Sequence, residues 1–228
     1  PYPGNVNTLI MALGPYQQAL EATGGSMPEF VNPKYADAAK TSFKKPTRLE
    51  CMMQDFPKLL AKELDAPTIG FTTFERWLSF SPAKNALDAG KDLCAKGDPP
   101  STASSAEFDV YAMHARRLAA SSGAAVEGAL ARDDRAPNAD GDEEYAGVTL
   151  APTARVVLKP SFAVTAAEIA AKVPGGDKVR VSARSTLVLD GAGIELRDVE
   201  VDGALVVRAC EGAKIVVDGL RVSNDGDA

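Results

Sequence analysis

Cys51, Cys94, Cys210 and the single histidine, His114, are the side chains of this 228-residue sequence most readily turned to nucleophilic, metal-ligating or acid–base chemistry. Their spacing argues against most of it. The cysteines are odd in number, far apart and without a C-x-x-C pair, so neither a disulfide framework nor a zinc site is implied, and a reducing compartment fits best. Cys51 sits in "TRLECMMQD" beside Met52 and Met53, which are adaptable core fillers, so packing is its plainer role. His114 borders an Ala- and Ser-rich tract with no Ser, Cys or carboxylate partner implied, which leaves it without a visible role as a base. Lys34, Lys40, Lys44, Lys45 and Arg48 form the one clearly basic cluster, opposed only by Asp37. Such a cluster suits phosphates, and it equally suits a solvated surface.

The surrounding composition narrows the function classes. Against 25 basic residues stand 31 acidic ones, a net charge of −6, which disfavours a nucleic-acid or anionic-membrane binder. With 45% hydrophobic and 25% charged residues the composition is that of an ordinary globular protein, long enough for one large or two small domains. No apolar run approaches membrane-spanning length. The opening "PYPGNVNTLI" has neither an initiator Met nor a charged leader, so the expectation is a cytoplasmic piece of something longer.

The elements that must position these residues are legible in outline. Asn5 or Asn7 is placed to cap a helix with apolar residues Leu9, Ile10, Leu13, Tyr16 and Leu20, stopped by Gly24-Gly25. "EFVNPKY" reads as extended. Thr47 and Glu50 fit a capping box, and Leu49, Met52, Met53 and Phe56 then fall on one helical face, so a helix is expected from Thr47 to about Pro57. "APTIGFTTF" reads as a buried strand, and "ERWLSFSPAKN" as a run into a loop at Pro82. The alternation favours an α/β layer domain. From 115 to 147 the composition shifts to Ala, Ser, Gly and Asp, which predicts an exposed linker or insertion. After Val148 short β-branched runs recur between acidic-Gly turns such as Asp190-Gly191 and Asp202-Gly203; this suits tight hairpins or the faces of a β-helix, and periodicity does not separate them.

Taken in order, "PGNVN", "EFVNPKY", "TRLECMMQD", "FSPAKN", "RST" and "VDGAL" resemble the C-terminal half of UDP-sugar pyrophosphorylases, over nearly the whole chain. The resemblance implies an α/β fold, the C-terminal part of a Rossmann-like nucleotidyltransferase domain followed by a small β-helix-like domain. It divides the chain into 1–118 (catalytic part), 119–147 (linker or insertion) and 148–228 (β-helix-like). It implies the reaction of UTP with a sugar 1-phosphate to give a UDP-sugar and pyrophosphate, with Mg²⁺ as cofactor and the N-terminal half of the same protein as partner. Carried over position by position, Lys84 of "FSPAKN" contacts substrate phosphate, Phe80 lines the sugar pocket, Asn5 bonds the sugar, and Tyr2 is a further pocket candidate.

Three departures accompany it: the family's Gly-rich UTP loop has no counterpart in this sequence, the family's β-helix is expected to continue past "SNDGDA", and the 115–147 segment is longer and richer in Ala than the family pattern. Two other readings stand beside it: a UDP-N-acetylhexosamine pyrophosphorylase, which shares an "F-S-P-x-K-N" loop, and a non-catalytic β-helix module for assembly or regulation.

Overall fold

A computed structural model of the chain describes residues 4–64, 68–129 and 141–226, and it divides by packing into two units, Pro1–Phe74 and Glu75–Ala228. The first unit contains α1 (Leu13–Thr23), β1 (Glu29–Val31), β2 (Leu49–Cys51) and α2 (Phe56–Glu63). Helix α1 stops as expected, with Gly24 at φ 63° in the left-handed conformation that glycine adopts without steric cost. Its start is later than expected. Asn5 accepts the amide of Asn7 at 2.6 Å, closing a local turn instead of capping the helix, and Ala12 precedes α1 without a side-chain cap.

The helix expected from Thr47 is corrected. "EFV" and "LEC" pair as antiparallel β1 and β2, with Phe30 opposite Glu50, and the Thr47 hydroxyl is buried without a hydrogen-bond partner. A single turn at Met53–Asp55 leads into α2, where Pro57 occupies the first turn. Proline there loses no hydrogen bond, so it begins the helix it was expected to end. The buried strand at "APTIGFTTF" is likewise absent: residues 68–74 adopt no strand, and Phe71 is 86% exposed. The core of this unit is small, with Ala19, Phe56 and Leu59 buried and the Tyr16 ring 5.3 Å from that of Phe56.

The second unit opens with α3 (Arg76–Ser79), α4 (Leu87–Cys94) and α5 (Ala103–Ser122), followed by β3 (Ala125–Val126), β4 (Glu143–Tyr145), β5 (Val148–Leu150) and β6 (Arg155–Leu158). It continues through α6 (Ala166–Lys172), β7 (Val179–Val181), β8 (Thr186–Asp190), β9 (Ile194–Asp202), β10 (Ala204–Arg208) and β11 (Ile215–Ser223). Apart from the antiparallel β4–β5 pair, its strands form two parallel sheets, ordered β10-β8-β6 and β11-β9-β7-β3. From β6 onward successive strands alternate between the two sheets, which makes the fold mixed α/β with parallel sheets and excludes tight hairpins there. Leu187, Leu189, Ile194, Leu196, Val199 and Val201 point inward and are almost wholly buried. Ser185 is fully buried at a corner, donating to the Val201 carbonyl at 2.8 Å and accepting the Gly203 amide at 3.2 Å, so no polar group is stranded there.

The described part of the expected linker is structured. Helix α5 runs to Ser122, Gly123 caps it at φ 80°, and β3 joins the second sheet beside β7. Ala115, Leu118 and Ala119 belong to the same buried cluster as Val156, Leu158 and Phe162 of the strands and turn beyond. Alanine is the best helix former, and its small side chain lets a helix approach a sheet closely, so an Ala-rich run here makes a packed helix. Packing divides the chain at 74/75. Residues 130–140 of that tract lie outside the described residues.

His114 shows what the α5–β6 contact does to a base. Its Nδ1 accepts the Leu158 amide at 3.4 Å, and partial burial, then the nearby Arg117 charge, push its pKa below the ordinary 6.5. The neutral ring is thus the native form, and the unfolded chain binds the extra proton first. Stability is full above about pH 6.5 and declines as pH falls below it. We expect urea midpoints of the wild type to drop between pH 7 and pH 5 more than those of His114→Gln; equal drops would remove His114 as the cause.

Candidate functional site

Lys84 and Phe80 come together on one loop of the second unit, residues 80–86 between α3 and α4. Phe80 is 46% exposed, so it is not a core residue. Lys84 is exposed, but its main chain is held: the amides of Lys84 and Asn85 both donate to the Ser101 carbonyl, at 2.8 and 3.0 Å. The Asn85 side-chain amide donates to the Pro100 carbonyl at 2.9 Å, and the Ser81 hydroxyl donates to the Asp109 carboxylate at 2.6 Å. Ser101 sits at φ 49°, a left-handed conformation that is rare outside glycine and costly unless its surroundings impose it.

The supports of this loop are set by local sequence. Thr102 caps α5, accepting the Ser105 amide at 3.2 Å, while the Ser105 hydroxyl accepts the Thr102 amide at 3.0 Å. Gly90 in α4 faces this cap; a Cβ added there would overlap the Thr102 methyl, so α4 reaches the cap only because residue 90 has no side chain. Ser81, Asn85, Ser101 and Asp109 were not singled out from sequence. Pro99-Pro100 ahead of Thr102 with Ser105 three residues on was the available signal: a stiff segment fixed to a helix start.

In the first unit, Asn5 is exposed and occupied with its Asn7 turn, and Asn7 in turn accepts from the Gln54 side chain at 2.6 Å. Asn5 caps no helix. Tyr2 lies outside the described residues. The basic cluster is a hairpin: Tyr35 bridges Phe43 with their rings stacked 5.4 Å apart, and the Lys44 amide donates to the Lys34 carbonyl at 2.7 Å. Asp37 closes its tip, accepting the Ser42 hydroxyl at 2.6 Å and the Ser42 and Thr41 amides at 2.8 and 3.0 Å. These donors, the Ser42 hydroxyl foremost, hold its carboxyl far below the usual range. The one acid of the cluster is thus spent on the turn. Arg48 pairs with Glu50 at 2.9 Å.

Cys51, Cys94 and Cys210 are thiols. No described helix is long and apolar enough to cross a membrane. Among the described residues no group of three or more His, Cys, Asp or Glu side chains is placed to hold a metal ion.

No protein-family model matches the chain. It is 38% identical to a UDP-sugar pyrophosphorylase of Arabidopsis thaliana over 229 residues, which cover 99% of this chain and 34% of that protein. UDP-sugar pyrophosphorylases of Oryza sativa subsp. indica and subsp. japonica are 39% and 38% identical, again over 99% of this chain and 34% of theirs. It is therefore the UDP-sugar pyrophosphorylases, as the quoted motifs implied, that this chain resembles along nearly its whole length, and it spans about a third of the length of the curated relatives it matches.

Proposed function

We propose that this chain supplies the sugar-side part of an enzyme that transfers a uridylyl group from UTP to a monosaccharide 1-phosphate, releasing pyrophosphate. The observation that carries the reading is the match to UDP-sugar pyrophosphorylases over 99% of the chain, including the loop that presents Lys84. In the proposed reaction a phosphate oxygen of the sugar 1-phosphate attacks the α-phosphorus of UTP, and the bond to the bridging oxygen of the leaving pyrophosphate breaks. The attacking phosphate is already anionic, so no general base is needed. Lys84 provides a point charge for oxygens whose charge redistributes in the transition state. By the resemblance, sugar contacts are assigned to Phe80, to Asn5 through the sugar hydroxyls, and to Tyr2.

UTP-binding residues and any Mg²⁺ ligands are assigned to a further polypeptide segment, which this reading takes to be the N-terminal half of the same protein, working in the cytoplasm. The names of the relatives support a UDP-sugar product. The strands that alternate between two parallel sheets support a β-helix-like reading of the C-terminal part.

The expected result for the isolated 228-residue chain, given UTP, Mg²⁺ and glucose 1-phosphate, is no pyrophosphate release above background. Activity is expected once the part of the A. thaliana relative that this chain does not match is added or fused. Turnover by the isolated chain would overturn the division of the site, and an inactive but folded fusion would count against the uridylyltransferase reading itself.

A further inference from the structure

An exposed loop ordinarily satisfies its backbone with water, and it has no packing reason to be fixed at several points. The loop carrying Lys84 is fixed at its start to α5 and at its end to the two residues before the α5 cap. At its start the Ser81 hydroxyl donates to Asp109 of α5 at 2.6 Å. At its end three donors, the Lys84 and Asn85 amides and the Asn85 side chain, converge on the carbonyls of Pro100 and Ser101, the two residues before the α5 cap. Ser101 adopts its left-handed conformation where its carbonyl takes two of these donors. Helix α5 is itself anchored, with Leu118 and Ala115 fully buried against the parallel sheets. The main chain of an exposed lysine is thereby referenced to the core of its unit through a strained, proline-stiffened strap.

We propose that Asn85 and the Ser81–Asp109 pair are positioning residues that act through Lys84, holding its backbone so that a long, flexible side chain meets the reacting phosphates from one origin. The inference rests on the uridylyltransferase reading above. None of the three touches substrate in this account; each removes freedom from Lys84 that would otherwise be lost at the transition state.

The test is a double-mutant cycle in the full-length protein. Asn85→Ala, Asn85→Asp and Ser81→Ala are made alone and on a Lys84→Met background, with kcat, KM and a thermal melt for each. Asn85→Asp keeps the size of the side chain while removing its N–H donors, so it serves where Asn85→Ala does not fold. Alone, each Asn85 variant is expected to lower kcat about ten- to a hundredfold with KM within a few-fold of wild type. On the Lys84→Met background the same changes should cost nothing further. Amide hydrogen exchange at positions 84 and 85 should speed up in the Asn85 variants. Equal fold-losses in both backgrounds, or an effect confined to KM or to the melt, would overturn the inference while leaving the reading of Lys84 standing. A folded Lys84→Met protein that keeps its turnover would overturn that reading, and this inference with it.

Discussion

Lys84→Met in the full-length protein is expected to lower turnover by about a hundred- to a thousandfold while leaving the fold intact, the loss typical of removing one preorganised group at a developing charge. Methionine keeps most of the aliphatic stem, so the change isolates the ammonium. The side chain is exposed and its backbone bonds run through the amide of residue 84, which the substitution retains. The melting temperature should therefore stay near that of the wild type. Because the charge on the phosphates redistributes as the new bond forms, the loss should fall on kcat and kcat/KM together and not on KM alone. Lys84→Arg keeps charge in a planar, forked geometry and should retain partial activity. Steady-state kinetics in both directions read the outcome. A folded Lys84→Met enzyme within a few-fold of wild type would exclude the assignment, and the cation would then be sought in the hairpin that carries Lys34, Lys44 and Lys45.

Leu118→Ala is expected to destabilise the second unit by about 2–5 kcal/mol, the range for a leucine removed from a packed core. Leu118 is fully buried on α5 in one cluster with Val156, Leu158, Phe162 and Ile169. The substitution opens a cavity between the helix and the parallel sheets that neighbours on relatively rigid elements do not refill. Denaturant unfolding, followed by a probe of the helix and by a probe of the strands, should show both midpoints fall together. A change below about 0.5 kcal/mol, as expected at an exposed linker position, would mean that α5 does not belong to that core.

What the sequence made legible follows from where local rules decide the outcome. The Gly24 stop, the extended "EFV" and the β-branched runs after Val148 were read correctly, because a left-handed cap and a period of two are local properties. Thr47 misled because a capping box is only four residues long, and pairing of Leu49–Cys51 with Glu29–Val31 outweighs it. Parallel pairing was hidden for a related reason: an acidic-Gly turn looks the same whether the next strand folds back beside its predecessor or crosses to another sheet. The Ala-rich helix was hidden by composition, since Ala and Ser mark linkers and closely packed helices alike. Lys84, Phe80, Asn5 and Tyr2 were nominated through family motifs alone. The strap at Pro100 and Ser101 was not, because carbonyl acceptors carry no side-chain signature.

The alternation of strands between two sheets also sets how the chain can fold. In most parallel sheets neighbouring strands are far apart in sequence, and each pairing waits on the closure of a long crossover. Here Val179 pairs with Val199, Thr186 with Ala204 and Ile194 with Ile215, so the three pairings from β7 onward each close a loop of about 20 residues and meet similar, modest closure entropy. Assembly can then proceed like a zipper from α5 and β6 toward the C-terminus, each strand templated by the one laid down two before it. Local opening should cost most where α5 packs on β3 and β6.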